Sequence, residues 1–107
     1  MKKKLKLLDR ILLLNLLPEE GNLKTLIIVK DIRTKIVITQ EEINKYKLEV
    51  NGGQITWDNK AGMETFEYKF TELERNEIKL ALEQADKNKK LREDHIEVCK
   101  IFGVLPA

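Results

Sequence analysis

A chain of 107 residues has room for one domain with a modest core and not for a second independent one. Its 20 basic and 18 acidic residues leave a net charge of +2, so no strong overall field draws it toward nucleic acid or an anionic membrane. The 42% apolar residues fall in periodic runs, which argues against disorder, and Cys99 is the only cysteine, so no disulfide forms within one chain and a reducing cytoplasm is the expected compartment.

Met1-Lys2-Lys3-Lys4 followed by a leucine-rich run has the first two parts of a secretory signal. Asp9, Arg10 and Asn15 interrupt the apolar run, and Pro18-Glu19-Glu20 stands where small residues should mark cleavage, so export is not expected. Ile11 to Leu17 is also far short of the about 20 apolar residues of a membrane span. From Leu5 to Leu17 the spacing predicts a helix in which nine of thirteen positions are Leu or Ile, more than a simple amphipathic stripe. Such a helix is buried by its own domain, by a partner chain, or by both. Leu5, Leu8, Leu12, Leu13 and Leu16 are therefore candidate interaction residues, with a central core helix as the plain alternative. Pro18 and Gly21 end the helix.

Asn22 is placed to cap a second helix, Leu23 to about Thr34, where Ile28, Val29, Ile32 and Ile36 keep helical spacing. The β-branched runs over 26–29 and 36–38 permit a hairpin instead; the helix followed by a short extended piece at Lys35 to Ile38 is preferred. Thr39-Gln40-Glu41-Glu42 is a capping box that opens a short helix, about Gln40 to Tyr46.

Lys47 to Phe70 holds four of the six aromatic residues and reads as a three-stranded antiparallel meander. Its runs are Leu48-Glu49-Val50, Ile55-Thr56-Trp57 and Thr65 to Phe70, joined by Asn51-Gly52-Gly53 and by a polar connection over 58–63. A loop at Gly52-Gly53 pairs Val50 with Ile55, and a loop at Asn51-Gly52 pairs Leu48 with Ile55; both keep the apolar residues on one face, because they differ by two positions. That face needs helices to cover it. Thr71-Glu72-Leu73-Glu74 repeats the capping box and opens a longer helix to about Lys87, with Ile78, Ala81, Leu82 and Ala85 on one face and Leu73 and Leu80 on another side. Asn88 suits a left-handed stop. A last helix, about Glu93 to Phe102, directs Ile96, Val98, Cys99 and Phe102 inward and halts at Gly103. The expected fold is one α+β domain, a meander covered by about five helices.

Candidates for chemistry are few. His95 and Cys99 lie four apart on one helix, but no oxyanion element accompanies them and two further ligands would be needed for a metal; a small core cysteine and a partly exposed histidine are the plainer reading. Glu41/Glu42, Glu72/Glu74 and Glu93/Asp94 all fall in first helical turns, where the helix dipole accounts for them. No GxGxxG, P-loop, HExxH or GxSxG occurs, and no catalytic residue, metal or cofactor is assigned.

Three helices followed by a hairpin resemble the order of a winged helix-turn-helix, with Gln40 to Tyr46 as recognition helix and Asn51-Gly52-Gly53-Gln54 as wing tip. Glu41 and Glu42 sit at the end that would enter the groove and the tip has no basic residue, so nucleic acid is an alternative partner only, with Lys24, Lys30, Arg33 and Lys35 as its contacts. A second alternative is a small-molecule or nucleotide pocket using Trp57 or Tyr68 for stacking. The leading expectation is a non-enzymatic protein that binds another protein or itself, as a homo-oligomer, without a membrane.

The run Leu12-Leu13-Leu14-Asn15-Leu16-Leu17-Pro18-Glu19-Glu20-Gly21-Asn22-Leu23-Lys24-Thr25-Leu26, with Glu41-Glu42-Ile43 and Gln54-Ile55-Thr56-Trp57, resembles small uncharacterised proteins encoded by bacteriophages and prophages. The resemblance extends over most of the chain, and its motifs are a helix stop, a capped helix and a strand. It implies an accessory or structural protein acting in the bacterial cytoplasm and carries no catalytic residues with it.

Overall fold

The computed structural model of the chain describes residues 2–52, 54–57 and 64–106. In chain order these form β1 (Lys2–Leu5), α1 (Leu7–Leu16), α2 (Leu23–Ile36), α3 (Gln40–Lys45), β2 (Glu49–Asn51), β3 (Gln54–Thr56), β4 (Phe66–Lys69), α4 (Glu72–Lys87), a 3-10 turn (Glu93–His95) and α5 (Ile96–Ile101). The class is α+β, as the periodicities indicate.

The meander is corrected. The hairpin β2–β3 forms with Val50 opposite Ile55, the register expected for a loop at Gly52-Gly53 rather than at Asn51-Gly52, and Gly52 takes a positive φ of 58°. The third run forms β4, but it pairs antiparallel with β1, so the described strands make two separate two-stranded sheets. The connection over 58–63 lies outside the described residues. The strand Lys2–Leu5 left no signal because three lysines carry no alternation; its register with β4 sets Leu5 opposite Phe66 and turns Leu5 into the core. α1 consequently starts two residues later than the leucine spacing suggests, where the Lys6 backbone N–H donates to Asp9 Oδ2 at 2.9 Å.

α2 resolves the ambiguity over 26–38 in favour of a helix that runs on to Ile36, so the extended piece begins only at Val37. Asn22 Oδ1 accepts the Thr25 N–H at 2.8 Å and satisfies one of the free amides of the first turn. Both expected capping boxes form: Thr39 Oγ accepts from Glu42 N and Thr71 Oγ from Glu74 N, each Glu reaching back to the threonine amide. α3, α4 and α5 end in the same device, in which the second residue past the cap donates five residues back and the first donates three back: Leu48 to Ile43, Lys90 to Ala85 and Val104 to Cys99. The left-handed position is Gly103 in the last of these, but Lys47 and Lys89 in the other two, with φ of 53° and 56°. The stop expected at Asn88 therefore falls one residue later. The last helix is also divided, its first turn being 3-10, and Ile96 points to solvent rather than inward.

The main core lies between α1, α2, α4 and α5, where Leu13, Ile32, Ile36, Ile78, Leu82 and Val98 are almost fully buried. Each such side chain contributes about 1.5–3 kcal/mol by leaving water. Phe70 and Phe102 meet edge to face at 5.8 Å and close the end of this core beneath β1 and β4. A smaller cluster of Leu7, Ile11 and Tyr46 carries the base of the hairpin through Leu48 and Trp57. Val50 and Ile55, nearer the turn, stay exposed, so the hairpin face is covered at its base alone. A strand pairing with β4 instead of the hairpin departs from the winged-helix order as well.

Candidate functional site

Among the described residues the most densely bonded side chain is Arg10, 2% exposed in the first half of α1. Its Nη1 and Nη2 grip the Glu42 carboxylate at 2.5 and 2.9 Å, while Nε and Nη2 donate to the carbonyls of Ile36 at 3.1 Å and Val37 at 2.7 Å. One guanidinium thus satisfies the C-terminal end of α2 and anchors the first turn of α3, opposite charges meeting the two helix ends each favours. Arg10 holds the Glu42 carboxyl at about 2, well below its ordinary value. Glu42 is also the capping-box residue of α3, so the end of the supposed recognition helix is committed to the fold. The constellation is a clasp joining three helices; every acceptor it serves belongs to the chain.

His95 is buried rather than partly exposed, and its Nδ1 accepts the Arg92 backbone N–H at 2.9 Å, which fixes the proton on Nε2 in the neutral ring. Cys99 lines the same cavity of about 250 Å³, together with Asp86, Leu91 and Val104. Burial, and secondarily the Asp86 carboxylate, push the thiol up, the opposite of what a nucleophile or a metal-binding thiolate needs. Among the described residues no three His, Cys, Asp or Glu side chains gather as a metal would require, and no helix is long and apolar enough to cross a membrane.

The four basic residues proposed for nucleic acid divide. Arg33 Nη2 donates to the carbonyls of Leu17 and Pro18 beyond the end of α1, and Lys35 is paired with Glu74. Burial pushes the Glu74 carboxyl up, but the Lys35 ammonium and the Thr71 amide outweigh it and hold it below its usual range. Of the four, Lys24 and Lys30 are exposed and have no ion pair among the described residues. The basic run Lys2-Lys3-Lys4 lies on the β1–β4 ribbon, where Lys2 stands opposite Lys69 and Lys4 opposite Glu67. Lysines there also keep a short exposed edge from pairing with other chains, which is reason enough for them.

Trp57 and Tyr68 do not share a pocket. Trp57 lines a shallow cleft with Leu8 and Ile55, whereas Tyr68 is half-buried beneath the Arg10 guanidinium at 5.5 Å. The leucine set divides too: Leu5, Leu12 and Leu13 are buried by the chain itself, and Leu8 and Leu16 are half-buried. The large uncovered apolar surface lies elsewhere. Leu23 and Ile27 on α2 are 75% and 54% exposed, and Leu73 and Leu80 on α4 are 53% and 48% exposed. α2 and α4 run antiparallel, with Lys35 against Glu74 at one end and Asn22 and Thr25 sharing a groove with Leu80, Ala81 and Ala85 at the other. At 1.5 Å per residue, that alignment brings Ile27 about level with Leu80. The sequence placed Leu73 and Leu80 off the buried face of α4; what it could not show was that α2 lies beside them with Ile27 turned outward. Comparison of the chain with family models, with curated proteins and with solved structures finds no match, so function is argued from these residues alone.

Proposed function

We propose that the protein is a non-enzymatic interaction protein whose working surface is the outward flank of α2 and α4. The observation that carries this is the exposure of Leu23, Ile27, Leu73 and Leu80 on two adjacent helices, while the leucine-rich α1 is largely consumed by the core. Scattered exposed leucines need no explanation, but four large apolar side chains on one pair of helices form a patch of the kind that marks a binding site. The upward shift of the Cys99 thiol and the commitment of Arg10 and Glu42 to the fold support a non-catalytic role. On the resemblance to phage-encoded proteins, the proposal extends to an accessory or structural protein of the bacterial host cytoplasm.

The test is a photoreactive amino acid placed at position 80, irradiated in bacterial cells and in the purified chain. A covalent adduct with protein, absent when the same group is placed at exposed Glu19, is expected. No adduct in either setting overturns the proposal.

A further inference from the structure

The charges that flank the apolar patch select its occupant. On α2, Ile27 stands between Lys24 and Lys30, each three positions away; on α4, Leu80 stands between Glu77 and Glu83, each three positions away. Three-residue spacing keeps each triplet on one helix flank. One flank is thus predominantly basic around Ile27, with the exposed Asp31 four positions on, and the other is acidic around Leu80. Among the described residues none of Lys24, Lys30, Glu77 and Glu83 has an ion pair within the chain.

We infer that the occupant of this surface is a second copy of the chain, docked about a two-fold axis parallel to the helices so that α2 of each copy lies on α4 of the other. The inference rests on the interaction reading above and names its partner. A two-fold interface must be self-complementary, since the same patch serves on both sides. A rotation about an axis parallel to the helices exchanges left and right but preserves height. Residues of α2 and α4 that are level within one chain are therefore level across the interface. The Lys35–Glu74 pairing fixes that level. To within about one helical turn, Ile27 meets Leu80 of the other copy, Lys24 faces Glu83, Lys30 faces Glu77, and Thr34 lies over Leu73. α2 and the facing α4 remain antiparallel, giving a four-helix layer with apolar contacts along the centre and ion pairs at the margins. The opposite pairing, α4 on α4, sets Glu77 and Glu83 of one chain near the same residues of the other, and like charges reject it. A long acidic or basic polymer satisfies one flank and is repelled by the other.

Sedimentation equilibrium of the full chain, with helix content checked by circular dichroism for every variant, provides the test. Wild type is expected to sediment at twice the mass of the chain at high micromolar concentration. Lys24→Glu with Lys30→Glu should weaken the dimer about tenfold or more. Adding Glu77→Lys and Glu83→Lys to that same chain should restore it, because both flanks are then reversed together. A wild type that stays at one chain mass overturns the second copy as occupant; if position 80 nevertheless crosslinks to another protein, the interaction reading stands without it, and if it does not, both fall. A dimer indifferent to the charge reversal, or one that the compensating reversal does not restore, overturns the α2-on-α4 arrangement. A one-chain mass together with low-salt retention on duplex DNA that Lys24→Glu/Lys30→Glu abolishes overturns it in favour of nucleic acid.

Discussion

Arg10→Met isolates the clasp, because methionine keeps much of the apolar stem and removes the guanidinium. The carbonyls of Ile36 and Val37 then lose their donors, at about 1–3 kcal/mol for each group left buried without a partner. The Glu42 carboxylate keeps its Thr39 contacts but loses the bidentate pair; its fall from 4.5 to about 2 corresponds to roughly 3 kcal/mol of preference for the charged form in the folded chain. These contributions overlap, so a total of about 4 kcal/mol is expected, within the range of about 3–5 for removing one partner of a buried pair. That is a large share of the about 5–15 kcal/mol of a small domain. The sign of the pH dependence follows from the same group. A carboxyl whose folded value is depressed contributes stability that is complete above its unfolded value near 4.5 and is lost as pH falls toward about 2. Urea unfolding at about pH 7 should therefore separate wild type from Arg10→Met by about 4 kcal/mol, and the gap should narrow steadily between about pH 5 and pH 2.5. A difference under about 1 kcal/mol at neutral pH, or a gap that ignores acid, would refute the account of Arg10 as a clasp.

Other expectations follow from single observations. Lys89→Gly should raise stability by about 1 kcal/mol in thermal or urea unfolding, since lysine holds a left-handed backbone there that glycine adopts freely; no gain would count against the left-handed cap. Thr71→Ala should cost about 1 kcal/mol by removing the hydroxyl that accepts the Glu74 amide. Ile32→Ala, in the closed core, should cost about 2–5 kcal/mol, whereas Leu23→Ala should change monomer stability by less than about 0.5 kcal/mol and act on association instead. Cys99 in the folded chain should alkylate more slowly at mildly alkaline pH than in urea-unfolded chain, as burial and Asp86 oppose the thiolate; equal rates would contradict its placement.

The elements most legible in the sequence were those with local punctuation. Asn22, Thr39 and Thr71 announce α2, α3 and α4 because the capping bonds lie within three residues, and Gly52 announces the hairpin for the same reason. Pairings made at long range were not legible. The alternation of Phe66, Tyr68 and Phe70 marked a strand, but nothing in 2–5 named its partner, because the lysines of β1 are admitted by an exposed ribbon rather than chosen by a core. Leu5, Leu12 and Leu13 were expected to be either interface or core, and periodicity cannot separate these, since both bury the same residues; only the placement of α2 and α4 around α1 decides it. The reverse holds for Leu73 and Leu80, whose position off the buried face was legible while their neighbour Ile27 was not. Arg10 and Glu42 gave no sign of each other across 32 residues, so the clasp is a product of tertiary packing.

The central claim concerns which residues meet across the α2–α4 surface, and it is tested most directly by isotope-filtered nuclear Overhauser spectroscopy on a sample mixed from labelled and unlabelled chains. Intermolecular contacts from the Leu23 and Ile27 methyls to the Leu80 methyls, and from the Thr34 methyl to the Leu73 methyls, of the other copy are predicted, while the methyls of Leu13 and Ile32 should show none. An absence of intermolecular contacts at these positions, or contacts confined to Leu8, Val50 and Ile55 around the hairpin, would contradict it.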